Sequence, residues 1–170
     1  MPESFFADCE HLLETQKQII LQGAPGTGKT FVAEKLATWW AGAPERTRTV
    51  QFHESYGYEN FVKGIKPVYN PDKEETLFRP TEGVFLSFCD STRKGSGNRY
   101  VLVIDEINRA KVSRVFGELL YLLEYRNRTT MLQSGETFSI PDQLYIIGTM
   151  NTADKSIALV DYASGDALLS

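Results

Sequence analysis

Apolar positions along the chain fall into two spacings. Lys17-Gln18-Ile19-Ile20-Leu21-Gln22-Gly23 is a short apolar run closed by glycine, the pattern of a strand buried on both faces of a parallel sheet. Residues 29–40 switch to helical spacing, with Val32, Leu36, Trp39 and Trp40 recurring and Gly42 just beyond the end. Thr49-Val50-Gln51-Phe52-His53 reads as a second strand. Residues 54–82 are polar and hold Pro67, Pro71 and Pro80, so they read as a long irregular insertion with one helical turn around Tyr58-Glu59-Asn60-Phe61. Val84, Phe85, Phe88 and Cys89 mark one face of a helix, and Lys94-Gly95-Ser96-Gly97-Asn98 is a loop. Tyr100-Val101-Leu102-Val103-Ile104-Asp105-Glu106 is the clearest buried strand. Residues 111–125 form the clearest helix, with Val112, Val115, Phe116, Leu119, Leu120, Leu122 and Leu123 on one broad stripe. Two short extended runs flank Gln133-Ser134-Gly135-Glu136 as a hairpin over 128–140, and Leu144-Tyr145-Ile146-Ile147-Gly148 is a fourth parallel-type strand. Strands alternate with helices, so the fold class is α/β with a mainly parallel sheet in a single domain over 1–170.

Chemistry enters at the junctions between these elements. Gly23-Ala24-Pro25-Gly26-Thr27-Gly28-Lys29-Thr30 matches G-x-x-x-x-G-K-[ST] between a strand and a helix, with Phe31 counted as the last member of the binding segment. Its glycines let the backbone curl so that N–H groups face phosphate oxygens at the positive end of the following helix. Lys29 would reach the β- and γ-phosphates of a nucleotide, and Thr30 would place its hydroxyl on Mg²⁺. A glycine-rich turn with an incidental lysine is the duller alternative, and the strand–loop–helix context argues against it.

Asp105 and Glu106 end an apolar strand at the sheet edge where ligands bind in parallel sheets. Asp105 would join the Mg²⁺ shell, and Glu106 would orient or deprotonate the attacking water. Successive strand residues point to opposite sides, so this division of labour requires the strand to end there. Asn151 follows the fourth strand at the same edge, where it is either a positioning amide for phosphate and water or a plain turn residue. Arg109 and Arg114 either face a neighbour's nucleotide or begin a solvated helix. His11 and His53 lack partners at metal-ligand spacing, and Trp39 and Trp40 read as core packing.

Composition narrows the class further. Eighteen Lys+Arg against 22 Asp+Glu give a net charge of −4, which lacks the basic excess of a nucleic-acid-binding module. No run approaches the roughly 18 consecutive apolar residues of a membrane span. The start has no signal-peptide pattern, and Cys9 and Cys89 read as reduced structural thiols, so a cytoplasmic protein without membrane contact is expected.

The order of P-loop, Val-Ile-Asp-Glu strand, helix, hairpin and asparagine-tipped strand resembles the AAA+ ATPases, a P-loop NTPase three-layer sandwich. The hairpin before the asparagine is similar to the branch that holds dynein-related, MoxR and McrB proteins. Gln51 to Phe61, Ile104-Asp105-Glu106-Ile107-Asn108-Arg109, Gly117-Glu118-Leu119-Leu120 and Gly148-Thr149-Met150-Asn151-Thr152-Ala153-Asp154-Lys155-Ser156 resemble McrB-like motor subunits of 5-methylcytosine restriction systems. The resemblance covers about residues 16–163. It implies an NTPase using ATP or GTP with Mg²⁺, and catalytic roles for Lys29, Glu106 and a sensor Asn151. It also implies a homo-oligomeric, hexameric ring with nucleotide between subunits, and a McrC-like nuclease partner. DNA would be contacted mainly through regions outside this sequence.

The pattern departs from the family at its end. After Leu159-Val160-Asp161-Tyr162-Ala163 the family continues into an arginine-rich helix end, a fifth core strand and a helical lid, so the expectation is a truncated core lacking that strand and lid. No arginine follows Arg128. A nucleotide-binding interaction module without turnover of its own is therefore an alternative, and a MoxR-like remodelling ATPase is another.

Overall fold

The apolar runs become the strands of one parallel sheet. The structure is a computed structural model that describes residues 3–153 and 168–169. In chain order the elements are α1 (Glu3–Gln16), β1 (Gln18–Gly23), α2 (Lys29–Ala41), β2 (Thr47–Gln51), α3 (Tyr58–Phe61), β3 (Lys63–Asn70), β4 (Glu75–Glu82) and α4 (Val84–Lys94). They continue with β5 (Tyr100–Asp105), α5 (Val112–Phe116), α6 (Leu119–Glu124), β6 (Thr130–Met131), β7 (Thr137–Phe138), β8 (Leu144–Asn151) and β9 (Leu168–Leu169).

The main sheet has the order β2-β5-β8-β1-β9, and every pairing in it is parallel. Strand alternation divides the core in two. Ile19, Leu21, Val101, Val103 and Ile147 face α1 and α2, where Leu13, Leu36 and Trp40 cover them. Ile20, Leu102, Ile104 and Ile146 face the other way, against Phe85, Phe88, Phe116, Leu119 and Leu122. Helices on both faces of a parallel sheet make a three-layer α/β sandwich, in which β1, β5 and β8 end side by side.

Four expectations change. A fifth strand is present in brief form: Leu168 pairs with Ile20 and Leu169 with Leu21. The outer edge of β1 offers unpaired N–H and C=O groups at its apolar centre, and an extended Leu-Leu segment satisfies them. The Asp154–Ser156 and Leu159–Ala163 strings, and the arginine-rich end and lid that would follow them, lie outside the described residues. Second, the irregular insertion 54–82 contains an antiparallel hairpin, paired from Lys63↔Glu82 to Asn70↔Glu75. Proline is tolerated there because each strand of a two-stranded ribbon has one edge free of ladder bonds.

Third, the helix 111–125 is broken into α5 and α6 at Gly117, which has φ +53 and ψ −128. That conformation is open to glycine and strained for other residues, and a Cβ here would stand 3.1 Å from Tyr58 Cε2. Fourth, Trp40 is buried as expected, beneath the Arg99 guanidinium at 4.0 Å, whereas Trp39 is 52% exposed. Helix α1, in a stretch to which the sequence pattern assigned no element, forms on the narrow stripe of Phe5, Cys9, Leu12 and Leu13. Cys9 and Cys89 are both free and buried. No helix among the described residues is long and apolar enough to cross a membrane.

Candidate functional site

The site lies where β1, β5 and β8 end. Gly23, the last residue of β1, pairs with Asn151 at the end of β8. The chain then curls through a loop in which Gly26 has φ +75 and Gly28 φ +78 before α2 begins at Lys29. Left-handed conformation at both positions is the reason for glycine there, and a Cβ on either would meet nothing within 4 Å because both face open space. Helix α2 has no side-chain cap and no acid in its first turn. Its first N–H groups therefore stay available to an anion at the positive end of the helix dipole.

Side chains converge on this opening. Lys29 Nζ donates to the Ala24 carbonyl at 2.6 Å, and the Thr27 hydroxyl donates to the same oxygen at 2.8 Å. The Thr30 hydroxyl donates to Asp105 Oδ1 at 2.7 Å. Strand β5 ends at Asp105, and Glu106 turns into the left-handed region at φ 52 and ψ 48. That turn brings two adjacent carboxylates to one cavity, which continued strand geometry would forbid. For a residue with a side chain it costs about 1–2 kcal/mol, so the surroundings must hold it. Glu106 Oε1 accepts from Asn151 Nδ2 at 3.4 Å, and Glu106 Oε2 pairs with Arg109 Nε at 2.8 Å. Pro25, the loop glycines, Lys29, Thr30, both acids and Asn151 border a cavity of ≈ 340 Å³.

Four side chains stand where the sequence pattern did not anticipate them: Phe31, Arg109, Thr149 and Asn108. Phe31 lies away from this cavity: it is 64% exposed, sits under the Lys35 ammonium at 5.4 Å, and borders a separate groove with Glu34, Thr38 and Thr47. Two positions beyond Lys29 on a helix is more than half a turn, which rotates its side chain out. Arg109 pairs with the acid of its own chain, while Arg114 is exposed on α5. Thr149 and Asn108 were not singled out, yet the Thr149 hydroxyl donates to Asp105 Oδ1 at 2.6 Å and Asn108 Nδ2 donates to the Asn151 carbonyl at 3.1 Å. Their signal was thin: a polar residue inside the apolar run of β8, and an amide two residues past the acids.

The donor set suits a hard divalent cation. A hydroxyl and a carboxylate 2.7 Å apart beside a phosphate-sized opening are oxygen donors that Mg²⁺ shares with phosphate and water. No group of three His, Cys, Asp or Glu side chains arranged for a metal exists among the described residues. His53 is exposed, with Nδ1 beside the Ser55 hydroxyl at 3.1 Å, and His11 is exposed on α1.

Comparison with known proteins shows the family. Residues 18–166 match the AAA domain family of the dynein-related subfamily. Over 96% of its length the chain is 43% identical to the EcoKMcrB subunit of the type IV methyl-directed restriction enzyme of Escherichia coli K12, and it spans 36% of that subunit. Over 85% of its length it is 27% identical to component YdiS of the type II restriction enzyme BsuMI of Bacillus subtilis, spanning 53% of it. A crystal structure of a candidate ATPase from Cytophaga hutchinsonii superposes with a TM-score of 0.51 at 18% identity, over 98% of this chain and 44% of that one, which shows the shared fold. The chain belongs to the dynein-related subfamily of AAA domains.

Proposed function

We propose that the chain binds a nucleoside triphosphate, ATP or GTP, with Mg²⁺ in this cavity and hydrolyses its terminal phosphate. It does so as the motor core of a McrB-like DNA restriction complex. The observation that carries the reading is the meeting of an uncapped helix start, Lys29, the Thr30–Asp105 pair and Glu106 around one opening.

In this reading the loop N–H groups and the start of α2 hold the phosphates, and Lys29 leaves the Ala24 carbonyl for a phosphate oxygen. Thr30 and Asp105 would hold Mg²⁺, which supplies charge neutralisation on the phosphate oxygens. Glu106 accepts the proton of the attacking water, with its carboxylate aimed by Asn151 and Arg109. Asn151 orients water and terminal phosphate, and Asn108 fixes Asn151 through its carbonyl. A homo-oligomeric ring, hexameric by family resemblance, and a McrC-like nuclease partner complete the assembly. Both rest on the likeness to restriction-enzyme components.

A second reading has its own support. Both oxygens of Glu106 are engaged within the chain, which fits a module that binds nucleotide and turns over only when a partner rearranges the site. A trans-acting arginine in related P-loop systems is worth about 10³–10⁵ in rate. Phosphate release by the chain, with and without a full-length relative, separates the two. Turnover alone supports the motor core, and turnover only in the mixture supports the module.

A further inference from the structure

Thr149 occupies the seam between the two acids. It is 1% exposed on β8, one residue beyond Gly148, whose pairing with Ile104 is the last in the β5–β8 ladder. The ladder therefore stops just before Asp105 and Glu106. Hydrogen-bond direction at Thr149 is fixed by chemistry. A carboxylate only accepts, so the single hydroxyl hydrogen goes to Asp105 Oδ1 at 2.6 Å. A lone pair remains, and it accepts the Glu106 N–H at 3.0 Å. Asp105 Oδ1 also accepts from Thr30, so one continuous path runs from Thr30 through Asp105 and Thr149 to the backbone of Glu106.

We propose that Thr149 is a positioning residue that locks the left-handed turn at Glu106 to the carboxylate of Asp105, so that the metal-side and water-side acids keep one fixed spacing. The assignment of those two sides rests on the function proposed above. Thr149 acts through the acids, and its hydroxyl takes over where the strand ladder ends. Thr149 is buried, so a purely structural role would depend on its volume, whereas this role depends on the hydroxyl.

The test compares Thr149→Val, which keeps the shape, with Thr149→Ser, which keeps the hydroxyl, in the full chain. The first readout is amide hydrogen exchange at Glu106 without nucleotide. Thr149→Val exchanges about tenfold faster than the parent, the factor expected for a lost hydrogen bond of ordinary net strength, and Thr149→Ser stays within about twofold. The second is the split between binding and turnover. Thr149→Val lowers kcat by about 10²-fold with nucleotide Kd unchanged, as displacement of a reacting group does, and Thr149→Ser restores it. Exchange in Thr149→Val as slow as in the parent, or equal damage in both variants, overturns the proposal. If Thr149→Val does not fold, Thr149→Ala set against Thr149→Ser makes the same comparison. A parent chain that binds no nucleotide contradicts the proposed function instead, and the exchange readout still decides the role of Thr149.

Discussion

Replacing Glu106 with glutamine separates chemistry from stability. The substitution keeps side-chain length and the left-handed backbone, so the conformational cost at φ 52 is unchanged. What is lost is charge. Glu106 Oε2 pairs with Arg109 at 2.8 Å, but the arginine side chain is 53% exposed. The glutamate side chain is 22% exposed, and the pair, screened by solvent from its arginine side, contributes about 0–1 kcal/mol. The Asn151 bond is 3.4 Å long and adds little. Glu106→Gln should therefore shift the unfolding free energy by no more than about 1 kcal/mol. Removal of a general base costs about 10²–10⁴ in rate, which corresponds to about 3–5 kcal/mol of barrier. Urea unfolding, fluorescent-nucleotide binding and phosphate release at saturating nucleotide measure the three quantities. Stability and affinity close to the parent with hydrolysis reduced at least a hundredfold is the expected result. Hydrolysis within tenfold of the parent would refute the assignment of Glu106 as the base.

Three further outcomes follow from the structure. Lys29→Ala should weaken nucleotide binding by about a hundredfold or more, through loss of charge-assisted bonds to phosphate; unchanged affinity in a titration contradicts the phosphate cradle. Gly117→Ala should destabilise the fold by about 1–3 kcal/mol, because alanine is strained at φ +53 and its Cβ would press on Tyr58; a urea midpoint equal to the parent's shows the break between α5 and α6 to be relaxed. Burial, with Asp8 adding, pushes the Cys9 thiol up to about 11, and burial pushes Cys89 up to about 12. Raised folded values stabilise fully below the ordinary 9.0 and lose that contribution as pH rises through the folded values, so stability falls from pH 9 toward 12. An unfolding free energy flat across that window contradicts the burial of both thiols.

What the sequence revealed depended on how local the cause was. The P-loop and the β5 acids were legible because glycine conformation, a helix start and an apolar strand are all set within a few neighbouring residues. The β3–β4 hairpin was hidden because Pro67 and Pro80 signal breakage, while the free edges that tolerate them exist only once Pro67 pairs with Phe78 and Pro80 with Ile65. Gly117 looked like an interior helix position, since the leucine periodicity runs straight through it. The break there is accompanied by a tertiary contact with Tyr58, which bonds to Glu118 sixty residues away. Thr149 was not singled out because its partners Asp105 and the Glu106 amide are more than forty residues distant in sequence. Trp39 and Trp40 carry the same hydrophobic signal, and only the rotation of α2 separates the exposed ring from the buried one. The pairing of Leu168 and Leu169 with β1 is similarly non-local.

The central claim is that the opening between the loop, α2 and the two acids is a magnesium-nucleotide site. Calorimetric titration of the folded chain with slowly hydrolysed ATP and GTP analogues, with and without Mg²⁺, tests it most directly. The account predicts saturable binding that strengthens with Mg²⁺ and disappears in Lys29→Ala. Absence of binding to both analogues, in a sample shown to be folded, would contradict it.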